Sequence, residues 1–368
     1  MTPRILVVGA GIAGLAAARG LRVAGFRPDV VEELPATTVP GAGIYLPGNA
    51  SRALRALGLD APMRPLGDLI FRQVFKDSQG SDLCELDTAA IWAGVGESRA
   101  LPRADLQRVL LTGVGGAVRY DTAVRDLQII DQSAEVEFSD GTVATYDLVI
   151  GADGRRSTIR EKAGLGGAAT PTGQIVYRSV VSSGPPVTDW TALLGRRSTF
   201  VAMPMGGRRL YCYADETATS QAPAAADALA RVRELFGSFG GPVPAILDAM
   251  EKVQVARTDE VVLDSWSRGP VLLVGDAAHA TAPTLAQGAA MALEDAVVLG
   301  EVLRAADGVP AALKLYEDRR RPRTGWVRDR TRERDRTRDV PPALRDPMLR
   351  RRGVRIFSDQ YRELVGPV

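Results

Sequence analysis

The sequence contains few residues of the types that form metal sites and disulfides. Its 368 residues include one histidine and two cysteines. This set gives no tetrahedral ligand cluster, so we predict no metal site. The two cysteines, Cys84 and Cys212, are far apart in sequence, and two are few for this length. This indicates a reducing compartment rather than a secreted fold held by disulfides. A nucleophile elbow is also missing, and this excludes Ser-His-Asp hydrolysis.

The sequence also lacks an excess of one charge and long hydrophobic runs. Lys and Arg total 46 against 44 Asp and Glu, a net charge of +2, so no basic field favours nucleic acid or an anionic membrane. No apolar stretch reaches the roughly 18 residues of a membrane span. Residues 5–18 have some features of a signal peptide, but their glycines have the spacing of a nucleotide-binding loop. We therefore predict a cytoplasmic protein, monomeric or homodimeric, that binds a small molecule.

The hydrophobic pattern predicts an α/β protein of about two domains. With 45% hydrophobic and 24% charged residues the composition is globular. A strand over residues 4–8, a helix over 12–24 and a strand ending at Val31 form a βαβ unit. Apolar runs at 148–150 and 271–274 end in ligand-type loops and are typical of buried parallel strands. Between them the β-type stretches and turns predict a separate antiparallel sheet.

The first loop has the spacing of a dinucleotide fingerprint. The run Gly9-Ala10-Gly11-Ile12-Ala13-Gly14 lies between the first strand and the first helix. Its glycines allow a tight turn, close approach of a pyrophosphate and packing of the helix on the strand. Glu32, at the end of the next strand, is placed to accept a hydrogen bond from a ribose hydroxyl. Glu33 follows directly; strand alternation favours Glu32 as the inward carboxylate. The fingerprint alone suits both FAD and NAD.

Three further segments occur in the order found in one enzyme family. They are Leu101-Pro102-Arg103-Ala104-Asp105-Leu106-Gln107; Asp147-Leu148-Val149-Ile150-Gly151-Ala152-Asp153-Gly154 with Ser157 and Arg160; and Gly275-Asp276-Ala277-Ala278-His279 through Pro283, with Ala286-Gln287-Gly288-Ala289 and Glu294-Asp295-Ala296. Together with the fingerprint, these segments resemble the group A flavoprotein monooxygenases. These are FAD-dependent aromatic hydroxylases typified by para-hydroxybenzoate hydroxylase and salicylate hydroxylase. The resemblance extends over about residues 3–330 and is weakest over 171–267.

The resemblance implies a Rossmann-like FAD-binding domain of the glutathione-reductase type with an inserted antiparallel-sheet substrate domain. The FAD domain is discontinuous and comprises residues 1–70, 100–170 and 268–340, and the substrate domain comprises 71–99 and 171–267. Residues 341–368 form a C-terminal tail. Prolines at 341, 342 and 347 lead us to expect only a short helix there, over about 354–364. We expect the arginine-rich stretch 318–339 to be a solvated surface helix.

The resemblance also implies an activity. NAD(P)H reduces FAD, dioxygen forms a flavin C4a-hydroperoxide, and one oxygen atom is transferred to an aromatic or polyketide-like small molecule. Alternatives on the same scaffold are an epoxidase, a Baeyer-Villiger oxygenase, a flavin-dependent reductase and a flavin halogenase. The halogenase is disfavoured because the Trp-x-Trp-x-x-Pro segment and the active-site lysine are missing. A non-catalytic flavin-binding protein is an alternative of a different class.

A set of cofactor contacts follows from the resemblance. Beyond Gly9, Gly11, Ala13, Gly14, Glu32 and Glu33, the implied FAD-binding residues are Gly43 and Ile44 beside the isoalloxazine, Arg103 at the diphosphate or ribityl chain, Val124 near the adenine, Asp153, Asp276 at a ribityl or ribose hydroxyl, and Ala286, Gly288 and Ala289. The last three begin a helix whose amides would face negative charge on the flavin. Many family members have glycine where this chain has Ala286.

Candidates for contact with the substrate are fewer. Pro283 resembles a family proline that lines the oxygen-reaction pocket, and with Tyr211 and Arg178 it is our candidate catalytic residue. Tyr177, Tyr213 and Met203 are our candidate substrate contacts. Core packing is an equal alternative for the tyrosines, and solvent exposure is the alternative for Arg178. If Arg178 faces the pocket, a carboxylate or phenolate is a plausible substrate group. We expect a structural role for His279 rather than that of a general base.

Overall fold

A computed structural model describes residues 2–38, 41–115, 118–217 and 225–368. The strands, numbered along the chain, are β1 (Ile5–Val8), β2 (Asp29–Val31), β3 (Gly43–Leu46), β4 (Asp68–Leu69), β5 (Arg72–Asp77), β6 (Asp82–Asp87), β7 (Arg99–Pro102), β8 (Val118–Arg119), β9 (Val124–Ile130), β10 (Ser133–Phe138), β11 (Val143–Tyr146), β12 (Leu148–Gly151), β13 (Thr170–Val181), β14 (Trp190–Leu194), β15 (Ser198–Pro204), β16 (Leu210–Thr217), β17 (Gln254–Glu260), β18 (Ser267–Arg268) and β19 (Val271–Leu273).

The helices lie between groups of strands, and the last five α-helices follow the last strand. They are α1 (Ile12–Val23), α2 (Gly48–Ala56), α3 (Asp60–Met63), α4 (Thr88–Ile91), α5 (Arg103–Gly113), α6 (Thr158–Lys162), α7 (Ala228–Phe236), α8 (Val243–Ala249), α9 (Asp276–His279), α10 (Gly288–Ala305), α11 (Val309–Arg336), α12 (Pro342–Ser358) and α13 (Arg362–Val365). Short 3₁₀ turns occur at Ala225–Asp227, Pro283–Leu285, Thr337–Asp339 and Asp359–Tyr361. No helix among the described residues combines the length and the apolar character needed to cross a membrane.

A six-stranded sheet forms the centre of the nucleotide-binding part. Its order is β18-β19-β12-β1-β2-β8, and the pairs from β19 to β8 are parallel. The residues of β1, β12 and β19 are all buried, which explains their unbroken apolar sequences, since a parallel sheet is covered on both faces. The carboxyl ends of these three strands lead into the loops at Gly9, Ala152 and Gly275. These loops therefore meet at one edge of the sheet, where ligands bind in open α/β folds.

A seven-stranded sheet, here called the large sheet, forms the second part. Its order is β17-β13-β16-β15-β14-β5-β6, and its pairs are antiparallel except β14 with β5. One face packs on α7 and α8 through a separate apolar cluster that includes Tyr177, Phe200 and Phe236. The other face points toward the nucleotide-binding sheet. Because side chains alternate along a strand, each residue of the large sheet belongs to one face or the other.

We expected the arginine-rich stretch 318–339 to be a solvated surface helix. In the structure most of it belongs to α11, which is only partly exposed. Arg320 is fully buried within it and forms ion pairs with Glu294 and Asp295 of α10, with N–O distances of 2.9 and 2.7 Å. Charge alternation alone does not reveal this, because the carboxylates that bind Arg320 lie on another helix. α11 is therefore anchored to α10 by a buried ion cluster.

The C-terminal segment also departs from its prediction. In place of a short helix over about 354–364, α12 runs from Pro342 to Ser358, through Pro347. Pro342 costs little at the first helical position, because an N–H there would have no partner within the helix. Pro347, inside the helix, removes one backbone hydrogen bond. The helix continues because its apolar side packs on β6, where a Cβ on Gly353 would lie 2.4 Å from Cys84 Sγ. Tertiary packing thus outweighs the local effect of the second proline.

Candidate functional site: a cavity between the two sheets

A cavity of about 760 Å³ lies between the loops of the six-stranded sheet and the inward face of the large sheet. One side is lined by backbone and small residues of the first loop, the Ala152–Gly154 loop and the start of α10. The opposite side carries arginine and tyrosine side chains of β13 and β16. The two sides touch at Gly43, where an added Cβ would lie 2.3 Å from the ring of Tyr211. One cavity therefore has two chemically different walls, which meet at Gly43 and Tyr211.

The fingerprint glycines form a tightly packed turn that leaves open space at one position. A Cβ on Gly14 would lie 1.8 Å from the carbonyl oxygen of Gly9, so helix α1 can approach β1 only with glycine there. At Gly11, which precedes α1 and lines the cavity, an added Cβ would meet no atom within 4 Å. Such an empty position at a helix N-terminus provides the room and the free amides that a pyrophosphate needs.

We expect Gly11→Ala to weaken FAD binding by roughly tenfold while leaving the apoprotein folded. The backbone of Gly11 is extended (φ −71°, ψ −174°), so alanine fits without strain, and its methyl group would occupy space in the cavity. Titration of the apoprotein with FAD, followed by flavin fluorescence, measures the effect. Gly167→Ala is the matched control, since that position is also open but does not line the cavity. Equal FAD affinities for the two variants would contradict this assignment.

Glu32 is the inward carboxylate of the pair at the end of β2. Its Oε2 accepts a hydrogen bond from the backbone N–H of Ala10 at 2.6 Å, and its Oε1 accepts one from Leu34 at 3.0 Å. Glu33 is exposed, and no hydrogen bond or ion pair of its side chain occurs among the described residues. The structure therefore gives no support to Glu33 as a cofactor residue. Glu32 remains the predicted ribose contact, and it also holds the fingerprint loop.

The start of α10 lies at the cavity wall, as the motif predicts. Gly288 and Ala289 line the cavity, and their N–H groups belong to the first turn of an 18-residue helix, where no helical acceptor exists. Ala286, also in the wall, has a left-handed backbone (φ 52°), a conformation that favours the glycine found in many family members. The amides and the dipole of α10 make this region favourable for negative charge.

Arg103, the first residue of α5, and Asp276, the first residue of α9, both line the cavity. Burial lowers the pKa of Arg103, and the nearby charge of Arg178 lowers it further, whereas the charge of Asp276 raises it. The Nε of Arg103 is buried and has no hydrogen-bond partner among the described residues. A buried donor without a partner, such as the Nε of this half-buried side chain, is costly unless an acceptor binds there. Arg103 therefore fits an anionic ligand such as the diphosphate of FAD.

A buried ion cluster supports the loop that carries Asp276. Asp295 Oδ2 accepts from the N–H of Gly275 at 2.9 Å and lies 2.8 Å from His279 Nε2, while Oδ1 accepts from Arg320. Burial alone would raise the pKa of Asp295, but the charges of His279 and Arg320 together lower it well below its usual range. His279 thus bonds to a carboxylate inside the motif, which matches the structural role that we expected for it.

Four of the predicted substrate-side residues lie on one face of the large sheet. Arg178 is directly opposite Tyr213, and Tyr211 is opposite Met203, in the register of β13, β16 and β15. All four line the cavity, and Pro283 lines it from the α9–α10 connection. Burial raises the pKa of Tyr211, an effect that Arg178 partly offsets. The structure therefore brings these five candidates together, and their roles remain predictions.

Three other candidates lie elsewhere. Tyr177 points to the opposite face of the large sheet, where its hydroxyl donates to Glu216 at 2.7 Å, because it is one residue from Arg178 on the same strand. We therefore withdraw Tyr177 as a substrate contact. Val124 is buried in the core beside β10 and does not line the cavity. Asp153 does not line the cavity either. Its Oδ2 accepts a hydrogen bond from the N–H of Ile159, and its Oδ1 is buried without a partner among the described residues.

Sequence reasoning missed two parts of the cavity wall. Asp215 follows Tyr213 by two residues and lies on the same face; the period-two pattern of the strand could have revealed it. Met348 and Phe357 also line the cavity, although we assigned residues 341–368 to a tail, and so does Arg338, which we expected in a solvated surface helix. No motif marks this segment, and its position depends on contacts such as the hydrogen bonds from Arg345 to the carbonyls of Leu194 and Gly195.

Comparisons with known proteins agree with this architecture. A family model described as FAD binding domain matches residues 2–331. The FAD-dependent urate hydroxylase of Mycolicibacterium vanbaalenii is 31% identical over 357 residues, covering 90% of this chain and 87% of that protein. The 3-hydroxybenzoate 6-hydroxylase of Polaromonas naphthalenivorans is 34% identical over 347 residues, covering 88% and 85%. The crystal structure of Klebsiella pneumoniae HpxO complexed with FAD and uric acid matches with a TM-score of 0.85 at 26% identity, covering 99% and 95%.

These matches confirm the predicted fold class, a Rossmann-like FAD-binding domain with an inserted substrate-binding sheet. They also confirm the resemblance, since the family model covers most of the chain and several relatives exceed 30% identity over most of both lengths. The open position at Gly11, the unused donor of Arg103 and the free amides of α10 fit FAD on the evidence of the structure itself. The chain belongs to the FAD-binding-domain family of group A flavoprotein monooxygenases.

Proposed function

We propose that this protein uses NADH or NADPH, FAD and dioxygen to hydroxylate a small aromatic compound that carries an acidic group. The observation that carries the proposal is the single cavity with two unlike walls, one suited to FAD and one bearing Arg178, Tyr211 and Tyr213. The relatives support it, since they are named for urate and 3-hydroxybenzoate, which are both planar ring compounds with acidic groups. In the overall reaction one oxygen atom enters the ring and the other leaves as water.

Bound FAD, once reduced by the nicotinamide, supplies the activation of dioxygen. The chain contributes binding and orientation. Arg103 and the α10 amides stabilise negative charge on the cofactor side, and the inward face of the large sheet holds the ring against them. The apolar wall formed by Met203, Val201 and Leu194 excludes water from the reaction space.

Arg178 is the residue that we assign to the acidic group of the substrate. It lines the cavity, and no carboxylate in the described ranges forms an ion pair with its side chain. Its charge also lies close enough to Arg103 to lower the pKa of that residue. Two neighbouring guanidiniums in one cavity repel each other, and an anionic ligand between them relieves this repulsion.

We expect Arg178→Met to weaken the binding of 3-hydroxybenzoate by roughly thirtyfold, about 2 kcal/mol, because a charge-assisted hydrogen bond is lost. Binding is measured from the change in flavin absorbance of the FAD-loaded protein. The neutral analogue 3-hydroxybenzamide is the internal control, and its affinity should change by less than about threefold. A similar loss for both ligands would contradict a charge-specific role for Arg178.

The activity is tested with the FAD-loaded protein and a small panel of ring compounds. Under anaerobic conditions NADH or NADPH should bleach the flavin faster when 3-hydroxybenzoate, 3-amino-4-hydroxybenzoate or urate is present. In air, the same compound should stimulate NAD(P)H oxidation and yield a hydroxylated product by mass spectrometry. A flavin that neither nicotinamide reduces, with or without the panel, would contradict the proposal.

A further inference from the structure

The cavity continues beyond the residues that we assign to FAD and to the acidic group of the substrate. Its far end lies between strand β14 and the helices α11 and α12. The side chains there are mostly apolar, and one of them carries a guanidinium. We call this region the distal subsite and define it by Trp190, Arg334, Met348, Ile356 and Phe357. The proposed function gives none of these residues a role.

The register of the large sheet separates the distal subsite from Arg178. A cross-strand row runs over the sheet from β13 to β5 and consists of Arg178, Tyr213, Val201, Ala192 and Phe75. Four strand spacings of roughly 4.8 Å lie between the ends of this row, about 19 Å in all. Phe75 in turn stacks on Phe357 of α12, with 4.1 Å between the ring centroids. A single aromatic ring held by Arg178 therefore covers only part of the distance to Phe357.

Arg334 differs from most other arginines of the cavity wall because no carboxylate among the described residues pairs with it. The arginines that do form such pairs are Arg155, Arg197, Arg330, Arg338 and Arg345. Arg103, Arg178 and Arg334 form none within the described ranges. We assign Arg103 to the diphosphate of FAD and Arg178 to the acidic group of the ring. Of these three cations, Arg334 is the one without an assigned anion.

The contacts of Arg334 leave part of its guanidinium available to a ligand. Its Nη1 donates to Gln360 Oε1 at 3.0 Å, whereas its Nε and Nη2 donate to no acceptor among the described residues. The guanidinium lies over the ring of Phe357, 4.2 Å from the centroid, and this contact orients it. Burial lowers the pKa of Arg334, because surrounding groups compensate its charge only in part. An acceptor oxygen from a ligand in the cavity would complete its hydrogen bonds.

We propose that the distal subsite binds a second part of the substrate, an apolar chain or ring that ends in an acceptor oxygen, with a carboxylate fitting best. The acidic aromatic ring binds at Arg178, the apolar part lies between Trp190 and Phe357, and the terminal oxygen pairs with Arg334. The substrate is therefore a ring acid with an extended apolar substituent rather than a simple benzoate. This inference rests on the proposed function and specifies the class of compound that its site accepts.

Three ring acids test this inference by their affinity for the FAD-loaded protein, measured from the change in flavin absorbance. They are 3-hydroxybenzoate, its hexyl derivative and its carboxypentyl derivative, with the chain placed meta to both ring groups or beside the hydroxyl. Complete burial of one methylene group raises affinity by about fourfold. In the wild type we therefore expect the better hexyl isomer to bind about thirtyfold more tightly than 3-hydroxybenzoate, even if only part of its chain leaves water.

Arg334→Met should weaken the binding of the carboxypentyl compound by about thirtyfold, because a charge-assisted hydrogen bond is lost. The affinities of the hexyl compound and of 3-hydroxybenzoate should change by less than about threefold, since neither places an acceptor at this position. Arg332→Met is the matched control on the same helix, because Arg332 pairs with Glu260 and does not line the cavity. It should leave all three affinities unchanged.

Ile356→Trp tests the apolar part of the distal subsite without removing a charge. The larger side chain should occupy the space of the chain and weaken the binding of the hexyl compound by about tenfold, with less than about a twofold effect on 3-hydroxybenzoate. Val354→Trp is its control, since Val354 is exposed on the same helix and does not line the cavity.

The outcomes separate this inference from the proposed function. Equal wild-type affinities for 3-hydroxybenzoate and both hexyl isomers, or equal losses in the two tryptophan variants, would overturn the distal subsite while the proposed function stands. Slower flavin reduction by NADH or NADPH in Ile356→Trp, with the affinity for the hexyl compound kept, would also overturn it, because the region would then serve the nicotinamide. Absence of stimulated NAD(P)H oxidation by every ring compound in the wild type would instead overturn the proposed function.

Discussion

Arg320→Met should lower the free energy of unfolding by about 3 kcal/mol, because it removes the buried cation shared by two buried carboxylates, although Glu294 keeps Arg323 and Asp295 keeps His279. Arg320 is fully buried, and it donates to Glu294, Asp295 and the carbonyl of Met291. Although burial works against its charge, the two carboxylates raise its pKa, so it is charged in the folded protein. Methionine has a similar length, and the loss therefore reflects charge more than volume. Chemical denaturation of the apoprotein measures it.

Arg319→Met is the matched control for this experiment. Arg319 precedes Arg320 in α11, but its side chain is exposed and pairs with Glu301 at the surface. Exposed ion pairs of this kind contribute less than about 1 kcal/mol. If both variants lost the same amount, the cluster around Asp295 would not be the anchor of α11 that we describe. A second consequence is expected at the cofactor, since Asp295 also holds the N–H of Gly275 before Asp276.

Arg103→Met should weaken FAD binding by a hundredfold to a thousandfold and leave the apoprotein as stable as wild type or more stable. The two effects have opposite signs for one reason. In the apoprotein Arg103 is a half-buried cation whose Nε is buried and has no partner among the described residues, and burial lowers its pKa. In the complex the same group pairs with the charge of the cofactor, and removing one partner of such a pair costs about 2 to 5 kcal/mol.

Two measurements test the Arg103 prediction, thermal unfolding of the apoprotein and titration with FAD. Arg108→Met is the control on the same helix, because Arg108 is exposed and pairs only with Asp105 among the described residues. It should change neither quantity by much. A marked destabilisation of the Arg103→Met apoprotein, with FAD affinity kept, would mean that Arg103 is a structural residue.

The motifs placed many of the predicted cofactor residues along one wall of the cavity, because short-range geometry dictates their positions, but Glu33, Val124 and Asp153 do not line it. Gly14 must be glycine for α1 to pack on β1, and the strand before Gly275 must be apolar because the sheet is buried on both faces. Such local packing requirements fix which residue types occur at a given spacing along the chain, and a motif can therefore reveal them. The ambiguity between Glu32 and Glu33 was of the same local kind, and strand alternation resolved it in favour of Glu32.

The substrate side was predicted only in part, because long-range packing decides it. Alternation along β16 correctly placed Tyr211 and Tyr213 on one face, but sequence alone did not show which face of β13 points inward, and Tyr177 was assigned wrongly. The wall formed by α12 was missed because its helix depends on packing against β6 in spite of Pro347. Partners such as Asp215 and Arg338 are 123 residues apart and share no motif.

The most direct test of the central claim is the source of the oxygen atom in the product. The FAD-loaded protein is supplied with NADH or NADPH, the ring compound from the panel that most stimulates oxidation, and ¹⁸O-labelled dioxygen. The account predicts a product that is heavier than the substrate by one labelled oxygen atom, with one NAD(P)H consumed for each product formed. Consumption of NAD(P)H that yields only hydrogen peroxide with every compound, or a product whose added oxygen comes from water, would contradict it.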